Sequence, residues 1–471
     1  MSAAANDREM SSLRSAHVTR ECDLRPMTNG VRHNPSDPNI ERSNAWFERS
    51  KRLIPAGCQT LAKGPGQFVD GVAPKLLQRG RGARVWDVDG NEYLDLSMAV
   101  GPLSLGYTDP DVDHAIREQL EDGISFSLVH PLEVEVAELV REYVPGAEMV
   151  RYSKTGADVT SAAVRLARAY TGRDKVLACG YHGWHDWYIS VTDRHAGVPE
   201  STRASSYTFE YNDLDGLERA LTDDVACVIL EPVTFAAPTA NFLRGVRDLC
   251  TRRGAVLVFD EMWTGFRLAL GGAQEYFDVR ADLATFSKAI ANGMPLGVLT
   301  GKAEIMKLCE RDVFFFTTFG GEALSLAAAK ATLRKLRAER VPEHIAALGA
   351  QLHTGLTALL EELELSCVRS IGLPYRTMLG FDGTECDPLV LKSFVQQELI
   401  RHGVLWGGFH NFSLAHTRDD VDYVLDAYSE ILPRLRAAVA CGSIARELRG
   451  RPVEPVFRKT TKFHTRPKPE A

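Results

Sequence analysis

Lys288 follows the apolar run ending Thr285-Phe286-Ser287 and precedes the Gly/Pro-rich stretch Asn292-Gly293-Met294-Pro295; Asp260-Glu261 closes the apolar run before it. A lysine at a strand end, with a carboxylate from a neighbouring strand, suits Schiff-base chemistry with pyridoxal phosphate (PLP), the acid pairing with the protonated pyridine nitrogen. Each residue also has an ordinary reading, the lysine as a solvated charge and the aspartate as a helix cap or turn former. The surrounding elements must decide between them.

Those elements alternate. Val176–Cys179, Ala226–Leu230 and Ala255–Phe259 are short continuous apolar runs, as expected of parallel strands buried on both faces, and helical periods at Val159–Tyr170, Leu214–Leu221 and Asn241–Arg253 separate them. The pattern predicts an α/β fold, a mostly parallel sheet flanked by helices, with ligands gathered at the carboxyl ends of the strands, where Glu231 and Asp260 fall. Beyond Glu322, the amphipathic stretches Ala323–Arg337, Pro342–Leu363 and Leu389–His402 surround strand candidates at Arg376–Phe381 and Phe412–Ala415, which predicts a smaller α+β domain. A hairpin around Asp89-Gly90-Asn91 is expected to join it. The resulting division is a polar N-terminal arm (1–42), a segment contributing to the small domain (43–95), a large domain (96–325), a small C-terminal domain (326–440) and a basic tail (441–471). The arm is expected to be disordered or to wrap a partner subunit. The tail, rich in Arg, Lys and Pro, is expected to resist helix formation and core burial.

Composition narrows the function. With 45% hydrophobic and 25% charged residues and a net charge of −7, the chain has the make-up of a soluble globular enzyme and neither the sign nor the size of charge that nucleic acid or a membrane surface would attract. Nine widely spaced cysteines without a C-x-x-C pair read as reduced thiols, and no metal site is expected. No apolar leader or membrane-length run stands out, so the cytoplasm is the expected location.

Three further segments carry chemistry. Thr155-Gly156-Ala157-Asp158 turns into a helix, where free N–H groups and the helix dipole suit a phosphate; Asp158 could equally be an ordinary helix-start residue. Gly180-Tyr181-His182-Gly183-Trp184-His185-Asp186-Trp187 follows a buried strand and could supply a ring to stack on a flat cofactor, or be a packed aromatic loop or metal site. Thr317-Thr318-Phe319-Gly320-Gly321-Glu322 precedes a helix, which capping alone would explain.

In this order, and together with Ile54-Pro55-Ala56-Gly57, Asp87-Val88-Asp89-Gly90-Asn91, Glu231-Pro232-Val233, Thr264-Gly265-Phe266-Arg267 and Leu414-Ala415-His416-Thr417, the segments resemble class III (subgroup II) aminotransferases of PLP fold type I over roughly Ser50 to Leu432. The broad pattern is that of glutamate-1-semialdehyde aminomutase. The resemblance implies PLP as cofactor, with Lys288 as its covalent anchor and Asp260 on the pyridine nitrogen. It implies Tyr181 and Met262 on opposite ring faces, Thr155, Gly156 and Ala157 on the phosphate, and His182 and Glu231 among the cofactor contacts. Thr318 would reach the cofactor of the other subunit in a homodimer with shared active sites.

Departures bear on the substrate. Where the aminomutase carries an arginine for the substrate carboxylate, this chain has Gln59-Thr60-Leu61-Ala62-Lys63, and Thr234-Phe235 replaces an expected Asn or Gln. The altered loops look like a branch that aminates keto or aldehydo sugars, in bacterial surface-sugar or aminoglycoside antibiotic biosynthesis. There Trp184, His185, Asp186 and Trp187 would face a polyhydroxylated acceptor and Lys63 would contribute to the substrate site. The expected reaction is ping-pong transfer from a small-molecule amino donor through Lys288. The alternatives are a PLP-dependent dehydratase, deoxygenase or epimerase on an amino sugar, an aminomutase, and a non-catalytic binding protein on the same fold.

Overall fold

The expected hairpin around Asp89-Gly90-Asn91 is the second turn of a short meander. A computed structural model describes residues 36–383 and 386–454, so most of the arm and the end of the tail lie outside the described residues. Strands β1 (Leu77–Arg81), β2 (Arg84–Asp87) and β3 (Glu92–Asp95) form an antiparallel meander. The β2–β3 turn uses Gly90 at φ +97°, a left-handed conformation that a side chain would disfavour.

The main sheet follows: β4 (Met149–Ser153), β5 (Lys175–Cys179), β6 (Ser206–Thr208), β7 (Val225–Leu230), β8 (Val256–Asp260), β9 (Leu283–Phe286) and β10 (Gly297–Gly301), in the order β4-β10-β9-β8-β7-β5-β6. β6, β5, β7, β8 and β9 are mutually parallel; β10 runs antiparallel to both its neighbours. The sheet is therefore mixed but mostly parallel, as expected.

Every residue of β7 and β8 is buried. Alternation sends Cys227, Ile229, Val256 and Val258 to one face, with Ala163 and Leu166 of the helix Gly156–Thr171, and Val228, Leu230, Leu257 and Phe259 to the other, with Val246 and Leu249 of the helix Phe242–Arg253. At about 1.5–3 kcal/mol for each fully buried branched or aromatic side chain, these two layers hold the strand ends in place. The helix Gly156–Thr171 begins with a capping box: Thr155 Oγ1 accepts from Asp158 N–H, and an Asp158 carboxylate oxygen accepts from Thr155 N–H.

Further along the chain are β11 (Val368–Leu373), β12 (Arg376–Phe381), β13 (Val404–Leu405) and β14 (Phe409–His410). β11, β12 and β14 form a small antiparallel sheet, while β13 pairs in parallel with β3. The helices Ala323–Ala338, Val341–Glu362, Pro388–Arg401 and Arg418–Ala440 accompany them.

Two expectations need correction. Phe412–Ala415 is not a strand: the Phe412 carbonyl accepts from Arg267, Ser413 N–H donates to His416 Nδ1 and Leu414 N–H donates to the Ser104 carbonyl, so the backbone is spent on side chains and a loop. The first part of the basic tail is not a solvated arm either. Ile444 and Val453 are buried, Arg449 pairs with Asp37 and Glu398, and Arg451 pairs with Asp70, so residues 442–454 pack on their own chain. The helix Glu41–Lys51 begins where the arm was expected to end.

Candidate active site

Because β5, β7, β8 and β9 are parallel neighbours, their carboxyl ends lie along one edge of the sheet, and each delivers a functional group. β5 leads into Gly180-Tyr181-His182, β7 into Glu231, β8 ends on Asp260, and β9 is followed by Ser287 and Lys288. The helix start at Thr155-Gly156-Ala157 follows β4.

Asp260 is buried. One of its oxygens contacts His182 Nδ1 at 2.7 Å and the other accepts from Met262 N–H at 3.1 Å. His182 Nε2 lies 3.1 Å from the Cys179 carbonyl, which can only accept, so Nε2 carries a hydrogen. His182 is thus a positioning residue that fixes the carboxylate.

Lys288 occupies left-handed backbone at φ 44°, a conformation costing a non-glycine residue about 1 kcal/mol or more. Its Nζ lies 3.6 Å from the centroid of the Trp263 ring. Desolvation lowers its pKa to about 7, the Arg376 guanidinium acts in the same direction, and Glu231 and Asp260 oppose it. The amine is therefore largely neutral, and nucleophilic, just above neutrality. Capture of an aldehyde by the cofactor-free protein should quicken about tenfold per pH unit up to about pH 7 and then level off; stopped-flow absorbance at several pH values checks this.

Glu231 completes the cluster. Burial raises its pKa and Asp260 adds to that, while His182, Arg376 and Lys288 oppose. Arg376, the first residue of β12, is 4% exposed, donates from Nη2 to the Thr234 carbonyl at 2.8 Å, and stacks on Trp263 and Phe409 at 4.4 and 5.1 Å. Phe409 in turn stacks on Phe235 at 6.1 Å. Neither Arg376 nor Trp263 was among the expected site residues. Trp263 immediately follows Asp260-Glu261-Met262, a signal that position alone could have supplied.

At the helix start, the Gly156 and Ala157 N–H groups meet no acceptor among the described residues. Met262 packs there: a Cβ on Gly156 would lie 2.8 Å from its sulfur. Gly183, at φ +103°, presses on the same turn, and its Cβ would come 2.6 Å from that of Ala157. Gly183→Ala should therefore destabilise the protein by about 1–3 kcal/mol and loosen cofactor retention, measured by thermal melts with and without added PLP.

The other expected residues divide. Tyr181 borders the cluster, its hydroxyl pKa raised by burial and then by Asp260 and Glu231. Thr318 is exposed on a loop anchored to the turn before the helix Gly156–Thr171 by Lys154, which donates to Glu322 at 2.8 Å and to Ser325. Glu322 itself caps the helix Ala323–Ala338. Of the aromatic loop, Trp184 is 70% exposed and Asp186 is exposed. Trp187 is instead in the core, its indole N–H donating to Ser161 Oγ, and His185 Nδ1 lies 2.7 Å from the same oxygen. Trp187 and His185 are thus engaged with the helix Gly156–Thr171 and not with an open acceptor face. Lys63 is exposed on the short turn Leu61–Lys63 and lines a separate cavity.

Comparison with known proteins identifies the family. The family model described as aminotransferase class-III matches residues 69–422. The chain is 36% identical over 410 residues to a 3-aminobutyryl-CoA aminotransferase of Cloacimonas acidaminovorans, covering 84% of this chain and 98% of that protein. It is 38% identical over 362 residues to a glutamate-1-semialdehyde 2,1-aminomutase of Methanothrix thermoacetophila, covering 73% and 83%. Among solved structures, the PLP internal aldimine form of the Sphingopyxis sp. MTA144 FumI protein superposes with a TM-score of 0.79 at 30% identity, covering 87% of this chain and 98% of that one. With a strand-end lysine, a buried aspartate and an open helix start on one sheet edge, and a family match spanning most of its length, the chain belongs to the class-III aminotransferases.

Proposed function

We propose that this PLP-dependent aminotransferase moves an amino group between two small molecules, at least one of which carries a carboxylate near the reacting carbon. The observation behind the substrate class is Arg376, a buried guanidinium that shares the Trp263 ring with Lys288 and, among the described residues, has a single hydrogen bond, to the Thr234 carbonyl. A planar fork with unspent N–H groups beside the reacting amine suits a carboxylate.

The residues fit PLP: a desolvated amine, a buried carboxylate, and two unpaired N–H groups at the start of a 16-residue helix for the phosphate. When bound, PLP supplies the electron sink for the carbanion formed at the donor's reacting carbon. Lys288 Nζ is the covalent anchor. With its lowered pKa the same amine would also serve as the base that takes the proton from the donor's reacting carbon, one group being anchor and base. Asp260, fixed by His182, holds the proton on the pyridine nitrogen. Thr155, Gly156 and Ala157 would hold the phosphate, and Tyr181 and Met262 would cover the ring faces.

Replacing Arg376 with methionine keeps the stacking volume and removes the charge. Arg376→Met should lower kcat/KM for a carboxylate-bearing donor by about 10–100-fold and leave a simple primary amine donor nearly unchanged; an equal loss for both would reject the carboxylate role. A sugar acceptor remains a second reading, favoured by the exposed rings of Trp184 and Phe235. Turnover of keto sugars against oxo acids in one substrate panel separates the two.

A homodimer accompanies this reading. Phe126, Leu128, Val129, Phe316 and Phe319 are all exposed, and their segments adjoin where Ala323 N–H donates to the Ile124 carbonyl. So much apolar surface near Thr318 suits a second copy of the chain.

A further inference from the structure

A second cavity lies behind the aromatic wall of the active site. It measures 630 Å3, is lined mainly by apolar groups, and borrows Phe235 and Phe409 from that wall. Such a volume is that of a small-molecule pocket, roughly 300–1,000 Å3. Lys288, Asp260 and Trp263 take no part in its lining, which adjoins theirs through Phe235 and Phe409.

Its charges are one-sided. Lys392, from the helix Pro388–Arg401, reaches the lining but has no hydrogen-bond or ion-pair partner among the described residues, and burial alone pushes its pKa down. Lys75 is spent on Asp70 and Asn44. Asp95, the acidic residue of the lining, is spent on Tyr107 O–H and Ser97 N–H, and burial pushes its carboxyl up. The uncommitted charges are therefore Lys392 and the exposed Lys63, both positive. Gly408 keeps room for the ammonium: at φ +121°, any Cβ there would lie 3.1 Å from Lys392 Nζ. A half-buried ammonium at the wall of an apolar cavity, without a counter-charge among the described residues, leaves a place for an anion.

We infer that this cavity binds an amphipathic monoanion, an apolar chain ending in one carboxylate, with Lys392 as the counter-cation. The site goes beyond the amino-transfer chemistry and can be read by binding alone. Such an anion could be the far end of an extended substrate or a separate small molecule.

The probe is octanoate, titrated calorimetrically into the holoenzyme, with 1-octanol as the uncharged control. Octanoate should bind the native protein more tightly than octanol does. Lys392→Met should weaken octanoate at least tenfold, leave octanol unchanged, and leave the visible cofactor band and turnover of a short acceptor intact. Lys392→Gln repeats the binding test should the methionine variant fold poorly. No octanoate binding, equal binding to native protein and both variants, or equal affinity for octanol and octanoate would each overturn the assignment. Octanoate competing with the acceptor identifies a substrate-tail site, and binding without competition a site for a separate ligand.

Discussion

Lys288→Ala is expected to fold normally, bind PLP without covalent attachment and turn over at least about 10³-fold more slowly than the native enzyme, because one substitution removes both the anchor and the proton-transferring base. Stability should not fall. The lysine already occupies left-handed backbone, so alanine adds no new strain, and removing the amine relieves the desolvation that holds its pKa near 7. Circular dichroism and thermal melts establish the fold, and single-turnover kinetics measure the loss. Native-like turnover from a folded variant would remove Lys288 from the chemistry.

Asp260→Asn should produce the second-largest effect, about 10²–10⁴-fold in kcat, with the fold kept. The local geometry explains why the charge can be tested apart from the structure. His182 Nε2 donates to the Cys179 carbonyl, so with an asparagine at 260 the amide N–H can donate to Nδ1 and the contact survives. Only the negative charge that keeps a proton on the pyridine nitrogen is lost. An unaltered melting temperature combined with a large fall in kcat would separate that electrostatic role from a packing role; a parallel loss of both would point to packing.

Sequence made the centre of the site legible because its parts are local. Lys288, Asp260, Glu231 and His182 each stand at or just after the end of an apolar strand, and a strand's carboxyl end can be recognised from the run that precedes it. Thr155 likewise announces a helix through Asp158 three residues on. What was not legible came from distance in the chain. Arg376 opens β12 and reads in sequence as a solvated strand terminus, yet it reaches Thr234 and Trp263, 142 and 113 residues earlier in the numbering. Lys392 looks like one lysine on an amphipathic helix until the cavity beside it is seen. A sugar acceptor would need Trp184 to Trp187 on one open face, but Ser161 takes the Trp187 indole N–H and draws that ring into the core. The antiparallel course of β10 was equally hidden, since burial on both faces gives the same apolar run in either direction.

The central claim, that Lys288 carries the cofactor beside Asp260, has one direct test. Holoenzyme treated with borohydride, which fixes a lysine-bound cofactor irreversibly, is digested and its peptides are mapped by mass spectrometry. The account predicts the reduced pyridoxyl group on the peptide containing Lys288 and on no other lysine; label on a different lysine, or no label on a protein that has bound PLP, would contradict it.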